Sequence, residues 1–188
     1  MRRFTLACAG LLACCASAVA APKAALRTVH HHVRTTETKR SAAIAWLGGQ
    51  VHGFQRATWR WEELMGVPRT QTEGRVLASM SVPDVRRAVH LWQSRAAAAR
   101  RRAEHPPHLR AFLCIHRYEG NWRDDAGPYY GGLQMDLGFQ RTYGFRLLQQ
   151  KGTADHWTPL EQIWTAEKAL RSRGFYPWPN TARACGLI

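Results

Sequence analysis

Apolar positions along the 188-residue chain recur at helical spacing in runs separated by strong breakers. Ile44, Leu47, Val51, Phe54, Trp61 and Met65 predict a helix over 41–65. Gly48 and Gly49 weaken its middle, Gly66-Val67-Pro68 ends it, and 68–80 reads as a loop. Ser81-Val82-Pro83-Asp84 has the Ser-x-x-acid form of a capping box, so a second helix is predicted over 83–102. Its 96–102 end is rich in Ala and Arg and is expected to face solvent, and Pro106-Pro107 stops the helix. Leu109, Phe112 and Leu113 place an apolar side on a helix over 108–118, with Glu119 at its C-terminal end. Residues 120–128 read as a loop, and 129–134 as a short aromatic strand with a tight Gly-Gly bend, one arm of a small hairpin. Asp136 is placed to cap a helix over 137–149. Thr158-Pro159-Leu160-Glu161 starts a helix that carries Leu160, Ile163, Trp164 and Leu170 and stops at Gly174. The proline-rich tail from Phe175 onward is expected to be packed extended chain. The pattern describes an α+β, mainly α fold with a short β-hairpin, preceded by a helical basic extension.

The first 20 residues read differently. Arg2 and Arg3 precede an apolar stretch over 4–16, and Ala18-Val19-Ala20 fits the small-x-small cleavage rule, which predicts a signal peptide over 1–20. About 13 apolar residues are too few to span a bilayer, and no other stretch is long and apolar enough. Leu11-Leu12-Ala13-Cys14 and Leu12-Ala13-Cys14-Cys15 are imperfect lipidation patterns, which leaves a lipoprotein as the lesser alternative. Cys8, Cys14 and Cys15 depart with the signal peptide. Cys114 and Cys185 remain, the minimum for one disulfide in an oxidising compartment; two unpaired buried thiols are the alternative.

Charge adds one constraint. The net charge of +14 falls to +12 when residues 1–20, with Arg2 and Arg3 and no acid, are removed. Such a field attracts polyanions. The basic residues are scattered and no nucleic-acid motif is present, so nucleic acid is not expected as a partner. Residues 21–40 form a polar basic arm whose His30, His31 and His32 read as a solvated run, because no Cys or acidic ligand set surrounds them. Residues 41–107 form the helical basic extension, where Trp59 and Trp61 read as packing in preference to a sugar platform.

Four blocks beyond Pro107 carry the chemistry: CIHRYEGNW (114–122), YYGGLQ (129–134), WTPLEQIWTAEKAL (157–170) and PWPNTARACGL (177–187). In this order and spacing they resemble the catalytic domain of resuscitation-promoting factors, a transglycosylase-like family with a reduced lysozyme fold. The resemblance covers roughly residues 108–188. It implies a small lysozyme-like domain that cleaves the β-1,4 link between N-acetylmuramic acid and N-acetylglucosamine, with no metal and no organic cofactor. Peptidoglycan is then the expected partner, other anionic wall polymers suit the basic chain, and a secreted or wall-associated monomer is expected. The chain also departs from the family. Resuscitation-promoting factors usually read Cys-Glu-Ser-Gly-Gly-Asn-Trp, whereas Cys114 stands five residues before Glu119 and only Gly120 and Asn121 separate Glu119 from Trp122. Asp124-Asp125-Ala126-Gly127-Pro128 replaces the family's Asn-Thr-Gly-Asn-Gly.

Glycosidic cleavage needs a carboxylic acid that keeps its proton near neutral pH. Glu119 follows an apolar helix and lies near Tyr118 and Trp122, which marks it as the candidate general acid. Asp136, 17 residues later, is a possible second carboxylate, although its position suits a helix cap better. Asp124 and Asp125 are loop candidates for holding a water. Tyr130 and Gln134 resemble strand positions that meet the N-acetyl sugar, where an amide offers both a donor and an acceptor. Trp122 reads as a sugar-stacking or a core residue. Gln162 resembles the family's Glu-Gln pair near the cleft, with a surface helix residue as the alternative. Trp164 and Trp178 read as core. Hydrolysis and the lytic route to an anhydro-muramyl end both remain open. The competing functional reading is a non-catalytic wall-binding or signalling module of the same shape, and a third is a polyanion binder dominated by the N-terminal helices.

Overall fold

The computed structural model describes residues 23–72, 74 and 76–188, with side chains from residue 34 onward. The signal peptide expected over 1–20 lies outside the described residues. The elements in order are α1 (Lys23–Met65), a 3-10 turn (Leu77–Ser79), α2 (Val82–Ala103) and α3 (Leu109–Glu119). The strands β1 (Tyr129–Tyr130) and β2 (Met135–Asp136) follow, then α4 (Leu137–Tyr143), α5 (Phe145–Lys151), a second 3-10 turn (Ala154–His156), α6 (Pro159–Arg173) and α7 (Pro179–Ala184). This is the expected α+β, mainly α class. Residues 23–40, read from the sequence as an arm, lie in α1. No helix among the described residues is long and apolar enough to cross a membrane. Arg40 to Ile188 forms one compact unit.

Within that unit, α1 and α2 build one core. Ile44, Leu47 and Val51 pack with Val85, Val89 and Trp92. Ser81 caps α2 through the Asp84 backbone N–H, as the motif predicts. Trp59 sits edge-on to Trp92, with centroids 6.1 Å apart, and its indole N–H donates to the Thr70 carbonyl at 2.8 Å. Trp61 borders a second cluster of Met65, Ala103 and Trp164, so both tryptophans pack. The 96–102 end of α2 does not simply face solvent. Ala96, Ala99 and Ala103 are buried, while Arg100, Arg101 and Arg102 point outward. Alanines at i, i+3 and i+7 make a narrow stripe against which a neighbour can pack closely.

At the end of this stripe Ala103 meets α6. The Trp164 indole donates to the Ala103 carbonyl at 2.7 Å. Arg171 donates to the Met65 and Gly66 carbonyls at 2.7 and 3.0 Å, which satisfies acceptors that the end of α1 leaves open. Glu63 pairs with Arg146, and burial pushes the Lys168 ammonium below the ordinary lysine range, against the pull of Glu63 and with the push of Arg171.

The C-terminal core gathers Phe112 and Ile115 of α3, Leu133, Met135, Phe139 of α4, Trp157, Ile163 of α6 and Trp178. Leu113 is exposed, not on the apolar side, because one residue turns a helix by about 100° from Phe112. The buried Glu167 carboxylate accepts from the His108 backbone N–H at 2.7 Å and contacts His108 Nδ1 at 3.0 Å, tying the start of α3 to α6. The helix predicted over 137–149 is two helices broken at Gly144. A Cβ there would lie 2.5 Å from the Trp157 ring, so the backbone yields to the indole. The tail is not extended: Pro179 opens α7 at a position where no backbone N–H is required. Cys114 and Cys185 form the expected disulfide, with Cα atoms 6.0 Å apart and a sequence separation of 71. Closing a loop of that length contributes about 4 kcal/mol in the chain-entropy account.

Thr158 and Glu161 form the full capping box at the start of α6. Burial works to raise the Glu161 carboxyl, yet hydrogen bonds from Lys151 and Thr158 outweigh it and hold it below the usual glutamate value. A lowered folded value means stabilisation present above the unfolded value and lost as pH falls through the folded one. Discounted for the solvent screening of a partly exposed group, Glu161→Gln is expected to cost less than about 1 kcal/mol at neutral pH. The difference from wild type should close as acid titrates the carboxyl, measured as urea midpoints across pH.

Candidate active site

The site forms where α3 ends and the hairpin turns back. Glu119 is the last residue of α3 and is partly exposed. Gly120 ends the helix at φ 143, a conformation open to glycine, so the chain leaves at once into the loop. Thr181 of α7 donates its hydroxyl to Glu119 Oε1 at 2.7 Å. The two helices that meet at this bond are also joined by the Cys114–Cys185 disulfide.

The hairpin is a two-stranded antiparallel pair with Tyr129 opposite Asp136 and Tyr130 opposite Met135. Its turn is squeezed from both sides. A Cβ on Gly131 would lie 2.5 Å from Gln162 Oε1, and one on Gly132 would lie 2.5 Å from His116 Nδ1 and 2.8 Å from Trp122. No larger residue fits at either place. His116, one turn before Glu119 on α3, stacks on Trp122 with centroids 3.8 Å apart and planes 19° apart. Its Nδ1 lies 3.1 Å from the Gly132 carbonyl, an acceptor only, so Nδ1 carries the proton. The shortened loop after Glu119 is thus pinned to the hairpin by a ring sandwich.

Gln134 closes the turn at φ 48, an uncommon conformation for a residue with a side chain. Its amide donates to Asp124 Oδ2 at 2.8 Å. The Gly120 Cβ position lies 3.4 Å from the same carboxylate oxygen, so the Asp124–Gln134 pair borders the residue next to Glu119. Asp124 also accepts from the Ala126 N–H through Oδ1 and from the Gly131 N–H through its carbonyl.

The other sequence candidates separate into distinct places. Tyr130 is half-buried against the loop, its hydroxyl 2.8 Å from where a Gly127 side chain would begin. Trp122 is half-buried under the His116 ring. Asp136 caps α4 by accepting from the Phe139 N–H at 2.7 Å. Gln162 is fully buried. Its Oε1 accepts from the Gly132 N–H at 2.9 Å, and its Nε2 donates to the Trp122 and Ala154 carbonyls at 2.8 Å each. Gln162 therefore braces the loop and hairpin from beneath. Trp164 and Trp178 are buried, and the Trp178 indole donates to the Leu133 carbonyl at 2.7 Å. His116 and Thr181 were not singled out from the sequence. The i, i+3 spacing of His116 to Glu119 was the available signal; Thr181 had none. A cavity of about 340 Å³ lies elsewhere, between α1 and α2, lined among others by His52, Gln55, Asp84 and Trp92. It does not reach Glu119. No group of three or more metal-ligating side chains occurs among the described residues.

Over 65 residues, 34% of the chain, the sequence is 40% identical to resuscitation-promoting factor RpfE of Mycobacterium tuberculosis. The match takes in 35% of that protein, so the chain spans about a third of the length of the curated relative it matches. No family model matches the chain.

Proposed function

We propose that this chain is an exported enzyme that cleaves the β-1,4 bond between N-acetylmuramic acid and N-acetylglucosamine in peptidoglycan, with Glu119 as the general acid. The observation that carries this reading is the placement of Glu119: a partly exposed carboxyl at a helix end, anchored on one oxygen and bordered by the Asp124–Gln134 pair. The likeness to a resuscitation-promoting factor supports a peptidoglycan-acting, lysozyme-like domain. The disulfide supports an oxidising compartment, in keeping with the leader expected over 1–20.

In this reading Glu119 gives its proton to the bridging oxygen as the bond to the muramyl C1 breaks. The resulting carboxylate then takes a proton from water or from the muramyl 6-hydroxyl as that oxygen bonds to C1, giving a reducing or an anhydro-muramyl end. Gln134, Tyr130 and Trp122 orient the sugar from the hairpin side. Gln162 supports them without touching it, and Asp136 serves as a cap. The basic surface of the extension over 41–107 holds the enzyme to the anionic wall.

The test is to incubate the purified exported chain with peptidoglycan and analyse the soluble products by mass spectrometry. Muropeptides are expected, and their reducing or anhydro-muramyl ends identify the acceptor of the second step. Sedimentation with the wall and no soluble product would establish the non-catalytic module instead.

A further inference from the structure

We propose that Thr181 is the positioning residue of Glu119, fixing Oε1 so that Oε2 is the oxygen that carries and delivers the proton. The inference rests on the catalytic reading of Glu119. A carboxylic acid bears its proton on one oxygen. Thr181 Oγ1 stands 2.7 Å from Glu119 Oε1, and a hydroxyl that donates there makes Oε1 an acceptor. Among the described residues, Oε2 takes no hydrogen bond. The proton of the acid form therefore resides on Oε2, the oxygen left open to a ligand. As the glycosidic C–O bond breaks, the O–H bond passes from Oε2 to the leaving oxygen, and Glu119 becomes a carboxylate that still accepts from Thr181.

The donor is held from several directions. Trp178, three residues before it, is buried and bonded through its indole to Leu133, next to the hairpin turn. Cys185, four residues after it, is bonded to Cys114 on the helix that bears Glu119. The hydroxyl has a single proton, and the Trp178 carbonyl at 3.4 Å lies beyond the usual O–H···O range, so the proton goes to Glu119 at 2.7 Å. A glutamate at a helix end has three rotatable bonds, and an anchor on one oxygen removes most of that freedom before substrate arrives. The sequence gives no hint of the pairing, because 62 residues separate the partners.

The experiment compares Thr181→Val, Thr181→Ala and Thr181→Ser in the full exported chain, with Glu119→Gln as reference. Muropeptide release is measured over a range of peptidoglycan concentrations, wall binding by sedimentation, and folding by thermal denaturation. Thr181→Val and Thr181→Ala are expected to lower apparent kcat about 10- to 100-fold with KM and wall binding nearly unchanged. Thr181→Ser, which keeps the hydroxyl, is expected to restore most of it. Two hydroxyl-free variants guard against one failing to fold. Wild-type kcat in a folded hydroxyl-free variant, or an effect on KM alone, would overturn the proposal while leaving Glu119 as the acid. Equal loss in Thr181→Ser would assign the effect to packing and overturn it as well. Full activity in Glu119→Gln, or none in the wild type, would overturn the catalytic reading and Thr181's role with it.

Discussion

Glu119→Gln should lower the release of soluble muropeptides about 1,000-fold while leaving the fold and wall binding intact. The amide has nearly the shape of the carboxyl, and its oxygen can still accept from Thr181, so the local structure has no reason to change. What it lacks is a proton it can give to the leaving oxygen. General acid catalysis typically supplies 10²–10⁴ in rate, so a loss of about 1,000-fold is expected. Glu119→Asp makes the complementary point. It keeps an acid but draws it back by one methylene, away from Thr181, and a loss of about 100-fold is expected from misplacement alone. The measurement is product release at saturating peptidoglycan, with thermal denaturation as the control for folding. Wild-type release from a folded Glu119→Gln protein would remove Glu119 from the chemistry and leave the binding module as the better account.

The parts of this fold that were legible in the sequence are those whose cause is local. Ser81, Asp136 and Thr158 cap helices because each offers a side-chain oxygen three residues before a backbone N–H, and those atoms lie within one turn. The hairpin was legible because Gly131 and Gly132 interrupt a short aromatic run. The parts that were missed depend on residues far away in the chain. Alanine carries little hydropathic signal, so the burial of Ala103 depends on Trp164, 61 residues further along the chain. The break at Gly144 is imposed by Trp157. The proline-rich tail reads as extended chain, yet Pro179 opens a helix, because proline excludes a helix interior but suits its first turn. At the candidate site, Glu119 is the residue the sequence singles out, whereas its hydrogen-bond partner Thr181 carries no signal there. Gln162 reads from the sequence as a residue near the cleft, with a surface helix position as the alternative; its burial follows from the hairpin packed over it, which turns the amide inward.

That inward amide leads to the largest expected effect on stability. Gln162→Met keeps the length and approximate volume of the side chain but removes its acceptor and both of its donors. The Gly132 N–H then loses its partner in a position where glycine is buried and water has little access. The Trp122 and Trp157 carbonyls lose their partner as well, and the Ala154 carbonyl keeps only its bond from the Trp157 N–H. A buried polar group left unpaired costs about 1–3 kcal/mol, so three orphaned groups together with the lost bonds should cost about 4 kcal/mol or more. Denaturant midpoints with an unchanged slope would measure it. The damage should also have a direction. Gln162 joins the loop through Trp122, the hairpin through Gly132 and α6 through its own backbone, so the acid-side loop and the turn should open first. Faster hydrogen exchange at the Gly132 amide, together with loss of activity below the temperature of global unfolding, is the expected signature. A Gln162→Met protein as stable as wild type, with Gly132 still protected, would mean that the turn is held by the His116–Trp122 stack alone. Gln162→Glu should not rescue the loss. It restores the acceptor for Gly132 but sets an anionic oxygen against the Trp122 and Ala154 carbonyls in a buried place, where the charge has no partner to offset its desolvation.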